Sequence, residues 1–155
     1  MRRTRPEKRE ILPDVRYNSE VVTDFINRIM RRGKRSTAVS LVYGAFDIIS
    51  EKTGKNALEV FEQALKNVGP MMEVRPRRVG GATYQVPMEV PGSRRMTLAM
   101  RWIIDSSKAR TGKSFSEKLS GELLDAFTNQ GASVRKREET HKMAEANRAF
   151  SHYRL

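Results

Sequence analysis

Apolar residues return every three or four positions along most of this chain, and one stretch alone alternates in steps of two. The helical periodicity starts at Ser19, after which Val21, Val22, Phe25, Ile26, Ile29 and Met30 share a face and Gly33 is placed to end the helix. A second helix is predicted from about Ser36 to Thr53. Ala38, Leu41, Val42, Ala45, Phe46, Ile48 and Ile49 cover so much of its circumference that it reads as the central core helix, stopped by Gly54. Asn56 with Glu59 gives a capping-box-like start to a third helix, faced by Leu58, Phe61, Leu65 and Val68 and ended by Gly69-Pro70. After Pro91-Gly92, Ser93 can cap a fourth, with Met96, Ala99, Met100 and Ile103 along one side and Trp102 nearby. Ser114 with Glu117 forms a capping box for a fifth, whose core face is Phe115, Leu119, Leu123, Ala126 and Phe127. Beyond Asn129-Gln130-Gly131 a sixth begins near Ser133. Its tail buries little beyond Met143, Ala146 and Phe150, which leaves aromatic residues exposed for contact with something else.

The stretch with period two is Glu73 to Val90, between the third and fourth helices. Gly80-Gly81 can take the positive φ angles of a two-residue hairpin turn. Centring the turn there opposes Val79 to Ala82, Arg77 to Tyr84 and Arg75 to Val86, which puts Arg75, Arg77 and Tyr84 on one face. Pro76 and Pro87 lack a donor N–H, so a free two-stranded ribbon suits them better than a larger sheet. The fold class is therefore mainly α: a six-helix domain with a protruding two-stranded β-hairpin between the third and fourth helices. Guanidinium groups flanking the Tyr84 ring suit phosphates and stacked bases. The bland reading is a surface hairpin with solvated arginines. Met71, Met72, Met88, Met96 and Met100 cluster near its base and read as gap-filling core.

Charge tilts that choice. Thirty Lys plus Arg against 18 Asp plus Glu leave a net charge of +12, an excess that implies a polyanionic partner. Residues 1–17 carry Arg2, Arg3, Arg5, Lys8 and Arg9 with almost nothing apolar before Ile11, and read as a basic arm ordered by a partner. Residues 18–155 read as a single helical RNA-binding domain, with the ribbon at about 73–90. Arg28, Arg31, Arg32, Lys34 and Arg35 crowd the end of the first helix, more than its dipole needs. Arg94 and Arg95 begin the fourth helix, and Arg135, Lys136 and Arg137 the sixth. Cations at a helix N-terminus oppose the dipole, so an external anion sharing those sites is expected. Solvated arginines are the alternative.

Catalysis finds no support. Without cysteine, disulfides and thiol chemistry are excluded, and His141 and His152 cannot make a metal site without carboxylate help. Thr111-Gly112-Lys113-Ser114 resembles the end of a phosphate loop, but Ser107 stands where the first glycine belongs; Gly33-Lys34-Arg35 fails likewise at Arg28. No cofactor is expected. No apolar run suggests a signal peptide or membrane span, so the expectation is a soluble, intracellular protein.

The residues VGGATYQVPMEV from Val79 to Val90, MAEANRAFSHYR from Met143 to Arg154, and Gly33-Lys34-Arg35 resemble the small-subunit ribosomal protein seven family, in its bacterial or organellar form. The resemblance spans nearly the whole chain. It implies a six-helix domain with a β-ribbon that binds the 3′ major domain of small-subunit ribosomal RNA, nucleates assembly of the subunit head and catalyses nothing. It also implies a cytoplasmic location in the small ribosomal subunit, with an organellar ribosome as the other setting. The RNA-facing residues carried over are Arg2, Arg3, Arg5, Lys34, Arg35, Arg75, Arg77, Arg78, Arg94, Arg95, Arg135, Lys136 and Arg137. By the same resemblance Arg77, Arg78, Gly80, Gly81, Arg148, His152 and Tyr153 lie near exit-site transfer RNA and messenger RNA, and ribosomal proteins nine, eleven and thirteen are neighbours. The rival is an architectural DNA-binding protein with a ribbon arm, although such arms carry a wedge at the tip, where this chain has Gly80-Gly81.

Overall fold

The apolar faces read from the periodicity close on one another in the computed structural model, which describes residues 7 and 9–153. Arg2, Arg3, Arg5 and Lys8 lie outside the described residues, as do Arg154 and Leu155. The elements run α1 (Glu20–Ile29), α2 (Arg35–Thr53), α3 (Ala57–Val68), β1 (Met72–Val79), β2 (Ala82–Glu89), α4 (Gly92–Ala109), α5 (Phe115–Phe127), α6 (Ala132–Ala146) and a terminal 3-10 helix (Arg148–Tyr153).

Two caps form as their residue types dictate: the Asn56 side chain accepts from Leu58 N, and Ser114 Oγ from Glu117 N at 3.2 Å. Two ends differ from expectation. α1 stops at Ile29, because reversing the chain into α2 takes Arg32 (φ 52°) as well as Gly33 (φ 72°) into the left-handed region. α4 begins at Gly92, with Pro91 rather than Ser93 at the cap position, since Pro91 O already accepts the first helical bond from Arg95 N at 2.8 Å.

Phe25, Phe46 and Phe61, all fully buried, tie α1, α2 and α3 together with ring centroids 5.0 and 5.3 Å apart. The hub, however, is α5, which packs on α2, α3, α4 and α6. Small residues let it approach: a Cβ on Gly44 of α2 would sit 3.2 Å from Ser116 Oγ, which donates to Leu41 O at 2.9 Å. The wide stripe on α2 is a core face, but the element at the centre is the one whose own stripe looked ordinary.

The ribbon has the expected register, from Met72 opposite Glu89 to Val79 opposite Ala82. Gly80 (φ 57°) and Gly81 (φ 90°) form its turn, a geometry that strains any residue with a Cβ. Its base is not free. Val86, Pro87 and Glu73 are buried there, and α6 and the terminal 3-10 helix pack against it, while the residues from Arg78 to Thr83 stay exposed. Of the methionines near the base, Met100 is buried core but Met71 is 63% exposed.

Docked structure begins before the expected boundary at residue 17. Asp14 accepts from the backbone of Arg16 (3.0 Å) and Tyr17 (3.1 Å) and from the Tyr43 hydroxyl (2.9 Å). Tyr17 meets Tyr43 and Phe46 of α2 edge to face, and Arg16 pairs with Asp47 at 2.6 Å. Among the apolar side chains of this stretch, Ile11, Leu12 and Val15 are exposed.

Candidate nucleic-acid interface

Arg94 at the start of α4 has its anion within the chain. The buried Glu73 carboxylate, on β1, accepts from Arg94 Nε at 2.7 Å and from Arg75 at 2.8 Å. Burial pushes this carboxyl up, but the hydrogen bonds from Arg94 and Arg75 outweigh burial and hold it below its ordinary value. Both arginine side chains keep a little under half of their surface open. Arg95 turns the other way: its stem lies against Gly69, and its Nε donates to Pro70 O at 3.2 Å.

The start of α6 repeats the arrangement with a deeper carboxylate. Glu122, fully buried on α5, accepts from Ser133 N at 2.9 Å and Ser133 Oγ at 2.6 Å, capping α6 from outside. Its other oxygen takes Arg110 Nη1 at 2.6 Å, and Arg110 also pairs with Asp125 at 2.7 Å. Arg137 reaches inward, donating to Asn67 O at the end of α3 and to Asn129 at 3.4 Å. A carboxylate from another element thus stands at each helix start, bonded to Arg94 at α4 but to Ser133 and Arg110, not to the arginines of the first turn, at α6. Arg135 stays exposed, and Lys136 pairs loosely with Glu139 at 3.4 Å.

The other expected residues fall into three places. Lys34 and Arg35 are exposed on the α1–α2 turn, where Arg35 donates to Asn27 at 3.3 Å. Arg78, Gly80 and Gly81 form the exposed tip of the ribbon, with the half-buried Arg77 just below. Arg148, His152 and Tyr153 belong to the terminal 3-10 helix. Tyr84 is brought to them rather than left bare between arginines: its ring stacks on Tyr153 at 5.1 Å and lies 5.3 Å from Phe150. The terminal aromatics expected to be exposed thus clasp the ribbon. His141 adds a polar tie, its Nε2 accepting from Met71 N at 3.0 Å, and burial, with Arg137 nearby, lowers its affinity for a proton.

One basic feature escaped the reading of the sequence. Arg94, Arg101 and Lys108 recur at seven-residue spacing on α4, and Arg28, held by Asp24 and Thr97 at 3.1 and 3.2 Å, shares a depression with Arg101 and Lys108. Heptad spacing of cations was the available signal. Among the described residues no group of three or more His, Asp or Glu could hold a metal, and no helix is long and apolar enough to cross a membrane.

Residues 1–148 match the family described as ribosomal protein S7p/S5e. The chain is 61% identical over 148 residues, 96% of its length and 95% of the relative's, to "Small ribosomal subunit protein uS7" of Thermoanaerobacter sp. (strain X514). Proteins of the same name in Desulfatibacillum aliphaticivorans and Streptococcus mutans serotype c are 58% and 59% identical over 153 residues, each covering 99% of this chain and 98% of the relative.

Proposed function

The chain belongs to the ribosomal protein S7p/S5e family, and from that premise we propose that it anchors the 3′ major domain of small-subunit ribosomal RNA and starts assembly of the subunit head. Family membership makes it a structural, non-enzymatic constituent of the small ribosomal subunit that binds ribosomal RNA. In the finer reading, the RNA helices are held by separated basic sites: the arm of residues 1–13, the α1–α2 turn with Lys34 and Arg35, Arg75 and Arg94 around Glu73, and Arg135 with Lys136 on α6. The major groove of A-form RNA is too narrow for side chains to read, so phosphate contacts supply affinity and the spacing of the sites supplies specificity.

The observation that carries this reading is the ribbon, held at its base by Glu73 and His141 and farther out, opposite Arg77, by the Tyr84 stack, while its basic tip stands clear. A rigid base with an exposed tip suits an extension that reaches past the anchoring RNA, toward exit-site transfer RNA and messenger RNA, with Arg77, Arg78, Gly80 and Gly81 leading and Arg148, His152 and Tyr153 behind. Ribosomal proteins nine, eleven and thirteen are the proposed protein neighbours, and the cytoplasm of a bacterial cell the setting. Chemical footprinting on naked small-subunit RNA tests the anchoring: protection confined to the 3′ major domain is expected, and protection elsewhere overturns it. Competition by duplex DNA separates the architectural alternative, with equal affinity at physiological salt counting against ribosomal specificity.

A further inference from the structure

Trp102, the single tryptophan of the chain, takes part in none of the sites above. It is half-buried on α4, its ring packed against the core on one side. On the other it lines an open depression between α4 and the first turns of α6, where Ser106, Ala109 and Ala132 are too small to cover it. The indole N–H donates no hydrogen bond among the described residues, and no buried side-chain polar atom there lacks a partner, so this donor opens to solvent.

Cations border the depression. Arg101 lines it with a guanidinium that makes no hydrogen bond or ion pair among the described residues, and Lys136 faces it from α6, tied only to Glu139 with both groups more than half exposed. The one carboxylate present, Asp105, is paired with Lys108 at 3.5 Å. Arg101 also lines the neighbouring depression with Arg28 and Lys108, so positive charge continues across α4 past the indole. A half-open aromatic ring with a free donor, bordered by cations, matches the chemistry of an unstacked base whose flanking phosphates are neutralised.

We propose that this depression receives one unpaired base of RNA, stacked on Trp102, with the adjoining phosphates on Arg101 and Lys136. The inference rests on the reading of the chain as an RNA binder and adds a site for a single-stranded or bulged nucleotide. Trp102 itself reports on it. In the full-length protein, titration with an oligoadenylate of about ten nucleotides should quench tryptophan fluorescence, while a fully paired RNA duplex and heparin should quench little. Trp102→Leu should weaken single-strand binding about tenfold and leave duplex binding and its salt dependence unchanged. Equal quenching by heparin, or no quenching by the oligoadenylate, overturns the proposal whether or not the leucine variant folds. If quenching is absent while small-subunit RNA still binds, only the stacking site fails; if that RNA does not bind either, the RNA reading fails with it.

Discussion

The first turns of α4 and α6 look alike in sequence, each opening with arginines where the helix dipole disfavours them, yet they answer the problem differently. At α6 the fully buried Glu122 bonds the backbone and side chain of Ser133 directly and draws Arg110 onto its other oxygen. That carboxylate serves the fold. At α4 the bridging Glu73 touches side chains, Arg75 and Arg94, whose outer surfaces stay open to solvent. It holds two cations in place without covering them. A basic cluster at a helix start is therefore no evidence of an outside anion until the inside ones have been located.

The largest consequence of this contrast belongs to Glu122. Glu122→Ala leaves Ser133 N–H and a buried part of Arg110 without their acceptor, and should cost about 3 kcal/mol, the low end for a broken buried pair because Asp125 still holds Arg110. A lower urea midpoint with an unchanged slope would show it. Glu73→Gln should cost about 1 kcal/mol, since its partners keep access to water. Glu73 titrates below its ordinary value of 4.5 in the folded chain, so its contribution is full above that value and fades as pH falls through the lower, folded one. The glutamine variant should lack that component of acid destabilisation.

A smaller effect is expected at His141. Its folded pKa is depressed below 6.5, so the unfolded chain takes up the proton first, and the stability it contributes is complete above 6.5 and declines as pH falls through the folded value. The protection factor of the Met71 amide, corrected for intrinsic exchange, should drop over that fall in the wild type, and His141→Gln should remove this pH dependence at a cost of about 1 kcal/mol. Least affected in stability is the ribbon tip. Arg77→Ala with Arg78→Ala should leave the melting temperature almost unchanged and lower the salt slope of RNA binding by about two. A variant that unfolds would mean the tip, like the base, serves the fold.

Much of this was legible along the chain because it depends on neighbours in sequence. Gly80-Gly81 centres the ribbon and thereby sets its register, and the side chains of Asn56 and Ser114 cap helices two or three residues away. The ties that make the ribbon rigid were not legible. Arg94 lies 21 residues from Glu73, and His141 lies 70 from Met71. Nothing in the local pattern of α5 distinguishes Glu122 from a surface glutamate, and the terminal aromatics looked bare because Tyr84 meets them only in space.

The sequence by itself determined the helices, the ribbon with its turn, the surplus of positive charge and the family to which the chain belongs. These follow from periodicity, local backbone preference, composition and motifs, all of which are written in consecutive residues. Only the tertiary structure decided which cations are turned inward, as Arg95, Arg110 and Arg137 are, and which remain available, as Arg78, Arg101 and Arg135 do. Whether a long charged side chain meets a carboxylate or water depends on what packing brings within its reach, and packing joins residues that the chain keeps far apart.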